Sequence, residues 1–118
     1  MTDTPDALSV DTIHALLANR TRRFALYCLY TYTNPVSLDD LARYICEWRF
    51  DDPAAELMDE RLQIYRSLYH QHVPRLVETG VADYDADEDV VALTADADGL
   101  EPYLEHVAEQ ELDEPLGG

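Results

Sequence analysis

Lysine is missing altogether from this chain of 118 residues: 25 Asp and Glu stand against 8 basic residues, every one an Arg, for a formal net charge of −17. A strongly acidic chain without lysine fits a salt-rich cytoplasm, where self-repulsion between carboxylates is screened within a few Å. The alternative is an acidic interaction protein from an ordinary cell. Bases are also absent from the last third. Residues 1–75 hold 8 Arg and 11 acids, a net of −3, whereas residues 76–118 hold 14 acids and no base. Any surface for nucleic acid therefore belongs to the first two-thirds.

Other absences narrow the class. No apolar run approaches the roughly 20 residues needed to cross a bilayer, so no membrane association is expected. The opening MTDTPDALSV has neither a basic nor an apolar segment of the kind a signal peptide needs, so a cytoplasmic location is expected. Cys28 and Cys46 are the only cysteines, without a CxxC pairing and among apolar neighbours; buried thiols are expected rather than ligands or a disulfide. Glycine-rich phosphate loops, nucleophile elbows and HExxH are lacking, and in so acidic a chain carboxylate pairs carry no weight, so an enzyme is not expected.

Metal ligation is not expected either. His14, His70, His72 and His106 are scattered, and His70 and His72 lie about 200° apart on a helix. His72 falls toward the apolar side, which favours a hydrogen-bonded structural role. Asp85-x-Asp87-x-Asp89 resembles the start of a calcium loop, but Val90 stands at its sixth position and Asp96 at its twelfth, where Gly and Glu are required. No cofactor and no small-molecule effector is identified.

What is present is mostly helical. Residues 1–8 read as a loose tail. Ser9 can cap a helix over residues 10–18, and Asn19 a second over residues 20–32. Arg20, Arg22 and Arg23 in that second helix's first turn oppose its macrodipole, and a phosphate-contacting role is the sharper reading, solvated charge the plainer one. Thr33-Asn34-Pro35 marks a turn. Ser37 then opens a capping box and a helix to about Arg49, with Leu38, Leu41, Ala42, Ile45, Cys46 and Trp48 on one face. Residues 51–57 form an acidic, Pro-broken linker.

The longest helix is expected over about residues 58–79. Leu62, Tyr65, Leu68, Tyr69, Val73, Leu76 and Val77 cover one side, and Gln63, Arg66, Ser67, His70, Gln71 and Pro74 the other. Pro74 removes a backbone donor and is expected to bend the helix, and Gly80 to end it. Residues 81–85 and 90–94 form a hairpin about Ala86-Asp87-Glu88-Asp89. A final amphipathic helix carries Leu100, Tyr103, Leu104, Val107 and Ala108, and an acidic tail starts at Asp113.

This order reads as a winged helix-turn-helix: mainly α with a small β-hairpin (α+β), residues 9–94, followed by a C-terminal helix over residues 95–112 and a tail over residues 113–118. The helices at 37–49 and 58–79 form the helix-turn-helix pair, joined by a linker longer than the usual turn. Arg and Gln make the bidentate contacts that read guanine and adenine. Gln63, Arg66, Ser67, His70 and Gln71 are therefore the candidate base contacts, and Arg20, Arg22, Arg23, Arg61 and Arg75 the candidate phosphate contacts. The acidic wing, with Asp83, Asp85, Asp87, Glu88 and Asp89, works against this at low salt. Leu100, Tyr103, Leu104 and Val107 need a covering surface; a homodimer or a fold back onto the chain's own core satisfies them.

LLANRTRRFALYCL resembles the opening of ArsR-like winged helices, and SLYHQHVPRLVETGVADYD their recognition helix running into the wing. More closely, residues 8–94 are similar to a haloarchaeal family of small winged-helix proteins, whose motifs appear here at Asn19–Arg23, Leu38–Trp48 and Tyr65–Leu76. The resemblance implies the fold and, by analogy, a DNA-binding transcriptional regulator acting on double-stranded DNA. The cysteine or histidine metal sites of ArsR-type sensors have no counterpart here. The competing expectation is a winged-helix adaptor that binds protein and does not read DNA.

Overall fold

In the computed structural model, described here for residues 8–32, 34–50 and 58–112 (the side chain of Phe50 excepted), local sequence signals set most of the element boundaries. The expected tails and the acidic linker over residues 51–57 fall outside the described residues. Ser9 caps α1 (Val10–Leu17): its Oγ accepts from the Thr12 amide at 3.1 Å. Asn19 caps α2 (Arg20–Thr31) through Oδ1, which accepts from the Arg22 amide at 3.1 Å. In both cases a short side chain satisfies one of the orphan amides of a first turn.

A cis Asn34–Pro35 bond precedes β1 (Val36–Ser37), a strand that the sequence reading did not anticipate. Two residues give no period to detect; β1 exists because it pairs antiparallel with the hairpin, Val36 opposite Val91 and Ser37 opposite Val90. Ser37 also does what was expected of it and caps α3 (Leu38–Phe50), its Oγ accepting from the Asp40 amide at 3.1 Å. Leu38, Leu41, Ala42, Ile45 and Cys46 form the buried face of α3.

The long helix runs over residues 58–78 as α4 (Met58–Ser67), a π-helical turn (Leu68–His72) and α5 (Val73–Glu78). The wide turn lies just before Pro74, whose ring cannot coexist with the carbonyl four residues earlier in a regular α-helix. There the Val73 amide donates to Leu68 O, five residues back. A π-turn of this kind is the expected bend in local form. The helix ends in a Schellman arrangement: the Val81 amide donates to Leu76 O and the Gly80 amide to Val77 O, each at 3.0 Å, with Gly80 at φ 84°.

Strands β2 (Ala82–Asp85) and β3 (Val90–Leu93) form the hairpin, and β1 adds to its far edge, giving an antiparallel sheet in the order β1-β3-β2. A 3-10 turn (Ala95–Gly99) leads into α6 (Glu101–Glu111). The core gathers Leu16, Leu26, Tyr27, Leu41, Ile45, Leu68, Leu76, Val81, Leu100 and Leu104, none of them more than 1% exposed. Cys28 and Cys46 are buried free thiols, as expected, and burial pushes the Cys28 thiol up to about 12. The result is an α+β arrangement of the winged-helix kind with a C-terminal helix.

That last helix departs from one of the two expectations for it. Leu100, Leu104 and Ala108 of α6 are wholly buried in the chain's own core, so Leu100 and Leu104 are not available to a second copy. Arg23 fixes the docking with a fork onto Glu111, Nε to Oε1 and a terminal nitrogen to Oε2, both at 2.8 Å, and the Tyr27 hydroxyl donates to Oε1 at 2.8 Å. Tyr103 remains 39% exposed and Val107 is half-buried.

Candidate nucleic-acid interface

Spacing places Gln63, Arg66, Ser67, His70 and Gln71 at i, i+3, i+4, i+7 and i+8, one face of a helix. The fold turns that face outward. Ile64, Leu68, His72, Val73 and Leu76 bury the opposite side, while Gln63, Arg66, His70 and Gln71 are exposed and Ser67 is half-buried. The apolar side is narrower than expected. Leu62, Tyr69 and Val77 are 48%, 47% and 40% exposed, and Ile64, not counted among the apolar face from sequence, takes a core position. The π-turn accounts for Tyr69: a turn with more than 3.6 residues rotates its side chains off the straight-helix projection.

The two histidines separate as expected. His70 is exposed and lies perpendicular to the Tyr69 ring, with ring centroids 5.0 Å apart, whereas His72 is 1% exposed. His72 Nδ1 lies 3.2 Å from an Arg22 terminal nitrogen. Arginine only donates, so Nδ1 accepts and the ring proton sits on Nε2. Burial, helped by the Arg22 charge, pushes this imidazole down to about 4.

The candidate phosphate contacts divide. Arg22 is 7% exposed and donates to Leu16 O at 2.8 Å and Ala15 O at 2.7 Å, besides facing His72. Arg23 donates to Leu17 O at 2.8 Å as well as gripping Glu111. These two side chains do not fit the expected role, because both guanidiniums are occupied inside the protein. They explain the unfavourable charge at the start of α2 in another way: they close the last carbonyls of α1, where positive charge is favoured. Arg61 reaches Asp39 at 3.5 Å. Arg20 is well exposed, lies over the Phe24 ring at 5.3 Å and comes only within 3.9 Å of Glu111.

Arg66 and Arg75 differ from all of these. Both are exposed and, among the described residues, neither has an ion pair or a hydrogen-bonded side-chain partner. In a chain where carboxylates outnumber guanidiniums about threefold, these two arginines turn their donors to solvent.

The wing presents the opposite charge. Asp83, Asp85, Asp87 and Glu88 are exposed. Two of the acids have structural duties. Asp85 Oδ1 accepts from the amides of Asp87 at 3.0 Å and Glu88 at 3.3 Å, shaping the turn. Asp89, at φ 56°, accepts from the Tyr65 hydroxyl at 2.5 Å on one oxygen and from the Tyr84 hydroxyl on the other. The Leu38 amide donates to Asp89 O at 3.0 Å. Asp89 thus binds the hairpin to the long helix and to α3, a role visible in sequence only as an acidic turn residue. Among the described residues no cluster of three or more His, Cys, Asp or Glu is placed to hold a metal ion.

An exposed polar helix face beside a three-stranded antiparallel wing defines a winged-helix-like domain. Residues 14–92 match the model of a domain of unknown function, DUF7344, and the chain belongs to that family. Neither a curated protein nor a solved structure matches it.

Proposed function

We propose that this protein is a DNA-binding transcriptional regulator that reads double-stranded DNA with the helix over residues 58–78 in a salt-rich cytoplasm. The observation that carries the reading is Arg66, exposed and unpaired on the same face as Gln63, Ser67, His70 and Gln71. Arginine and glutamine match the edges of guanine and adenine in the major groove, and a helix of this length fits that groove. Arg75, farther along the helix, and Arg20 on α2 supply phosphate contacts. The similarity to ArsR-like and haloarchaeal winged helices supports the same role by analogy. A homodimer would set two such helices on successive turns of the duplex. With Leu100 and Leu104 taken into the core, Tyr103 and Val107 are the residues of α6 left for that contact.

The acidic wing decides the conditions. At low salt it repels a duplex, and in molar salt the repulsion reaches only about 3 Å. Binding is therefore to be measured in molar KCl, by selecting bound fragments from genomic DNA and comparing Arg66→Ala and His70→Ala with the parent. The reading expects both variants to keep their circular dichroism and melting behaviour and to lose the selected sequence. A parent protein that enriches no sequence under these conditions, or variants that bind as the parent does, sinks it.

A second reading is favoured by the other flank of the helix. Met58, Leu62 and Tyr69 are 64%, 48% and 47% exposed, at helical spacing beside the acidic wing. A protein-binding adaptor would cover these side chains, and such a module would leave Arg66→Ala without effect while Leu62→Ser abolished association.

A further inference from the structure

Acids are not only numerous in this chain but unevenly withheld. Residues 12–38 contain no Asp or Glu, and neither do residues 61–77, although 25 of the 118 residues are acidic. Burial explains part of each segment. It does not explain the exposed or half-buried positions Arg20, Thr21, Gln63, Arg66 and Ser67, where carboxylates cost nothing in packing. The fold brings the two acid-free segments together, since Arg22 of α2 meets His72 of the long helix. Where the start of α2 faces α4, a groove opens, lined by Thr21, Arg49, Glu60, Gln63, Ile64 and Ser67. Arg49 enters it from the end of α3 and donates to the Thr21 hydroxyl at 3.3 Å.

We infer that this groove holds a backbone phosphate of duplex DNA, with Arg49 and the Thr21 hydroxyl as the contacting groups. The inference rests on the DNA-binding reading and deepens it: it names a surface for the sugar-phosphate backbone apart from Arg22 and Arg23. Three observations meet here. The Arg49 guanidinium, from the end of α3, stands beside hydroxyl and amide donors from α2 and α4. Carboxylates are withheld from both segments that frame the groove. The groove also runs directly alongside the face carrying Gln63 and Ser67, so a strand whose bases meet that face passes its phosphates over Thr21. Hydroxyl, amide and guanidinium donors are the groups that fix a protein on a sugar-phosphate backbone without reading sequence. Among the described residues Glu60 is the one acid lining the groove, and it opposes such a ligand.

The test uses the full chain in molar KCl with two probes, a selected duplex and short duplexes of random sequence. Arg49→Gln and Thr21→Glu are expected to weaken both probes by the same factor, roughly three- to tenfold, because phosphate contacts carry no sequence information. Glu60→Gln is expected to tighten both, a gain that a merely structural role for the groove does not produce. Arg66→Ala serves as the contrast, since it should weaken the selected duplex more than the random one. If the parent binds the selected duplex while Arg49→Gln and Glu60→Gln leave both affinities unchanged, the groove assignment is overturned and the DNA reading stands. If the parent binds neither probe, the DNA reading falls and the groove assignment falls with it.

Discussion

Arg22 and His72 lie 50 residues apart and meet in the interior, guanidinium to Nδ1 at 3.2 Å, so that the corner between α1 and α2 is joined to the π-turn of the long helix. The pair is two bases without an acid between them, which is tolerable only because His72 stays neutral. Burial first, and the Arg22 charge second, hold its imidazole down to about 4, against 6.5 for the free side chain. The consequence for stability has a definite sign. As pH falls below about 6.5 the unfolded chain takes up a proton at residue 72 that the folded chain refuses until about pH 4. Folding is therefore weakened across that window, by up to roughly 3 kcal/mol, and not further below it. Urea unfolding at fixed molar salt, at neutral pH and near pH 4.5, should show a steeper acid loss in the parent than in His72→Gln. Parallel losses in the two proteins would show that this imidazole does not set the acid limit.

Glu111 is the acid counterpart. The Arg23 fork, aided by the Tyr27 hydroxyl, holds its carboxyl below the ordinary range. A depressed carboxyl stabilises the fold above the unfolded value and ceases to as pH falls through the folded one. Glu111→Gln removes the charge and half of the fork, and is expected to cost about 1–2 kcal/mol. The loss should appear first as faster amide exchange in α6. Exchange in α6 unchanged from the parent would mean that Leu100, Leu104 and Ala108 hold the helix without the fork.

How far the sequence foretold this arrangement varies from residue to residue, and for physical reasons. Ser9, Asn19, Ser37 and Gly80 act within a turn of their own position, so their caps and stops were legible. The hairpin was legible from its alternation of turn residues and β-branched runs, and the outward face of the long helix from a period of 3.6. Arg22 was not, because nothing local tells a buried guanidinium from a solvated one when its partners are the carbonyls of the preceding helix and a histidine 50 residues away. Strand β1 depends on a pairing with Val90 and Val91. Tyr69 was misplaced by a straight-helix projection that the π-turn breaks, and Asp89 looked like one wing acid among five.

The burial of α6 makes two kinds of substitution separable. Leu104 is wholly buried, so Leu104→Ala should destabilise the domain by about 2–5 kcal/mol, whatever the protein concentration. Tyr103 is exposed and lines a shallow apolar groove with His14, Leu17, Pro102, His106 and Val107. Tyr103→Ala should leave the unfolding of a dilute sample nearly unchanged and act only on self-association, read by sedimentation. If Leu104→Ala alters association as much as stability, α6 exchanges between its own core and a partner.

Tyr65, Asp89 and Tyr84 make the wing a fixed part of the helix rather than a flap. The hydrogen bond to Asp89 holds the Tyr65 phenol up at about 12, and the same carboxylate raises that of Tyr84. Asp89→Gly keeps the positive φ that the turn requires and deletes the acceptor. The Tyr65 phenol is then expected to titrate near its ordinary 10, and amides of β2 and β3 to exchange faster while those of α3 do not. Titration of Tyr65 in Asp89→Gly at the parent value would break the link between wing and helix.

A wing fastened in this way cannot swing its charge aside when a duplex approaches, and that gives the electrostatic argument its sharpest form. Asp87 and Glu88 are exposed at the tip, and neither carboxylate braces the turn as Asp85 does or meets the tyrosines as Asp89 does. Replacing them with Asn and Gln therefore alters charge with little effect on shape. If the DNA reading holds, the double variant should bind duplex more tightly than the parent at about 0.1 M salt, where charges interact over roughly 10 Å, and gain little in molar KCl, where the range is about 3 Å. Equal gains at both salt concentrations would mean that the tip touches the duplex directly. No gain at low salt would place the wing away from the DNA and leave the helix face to act alone.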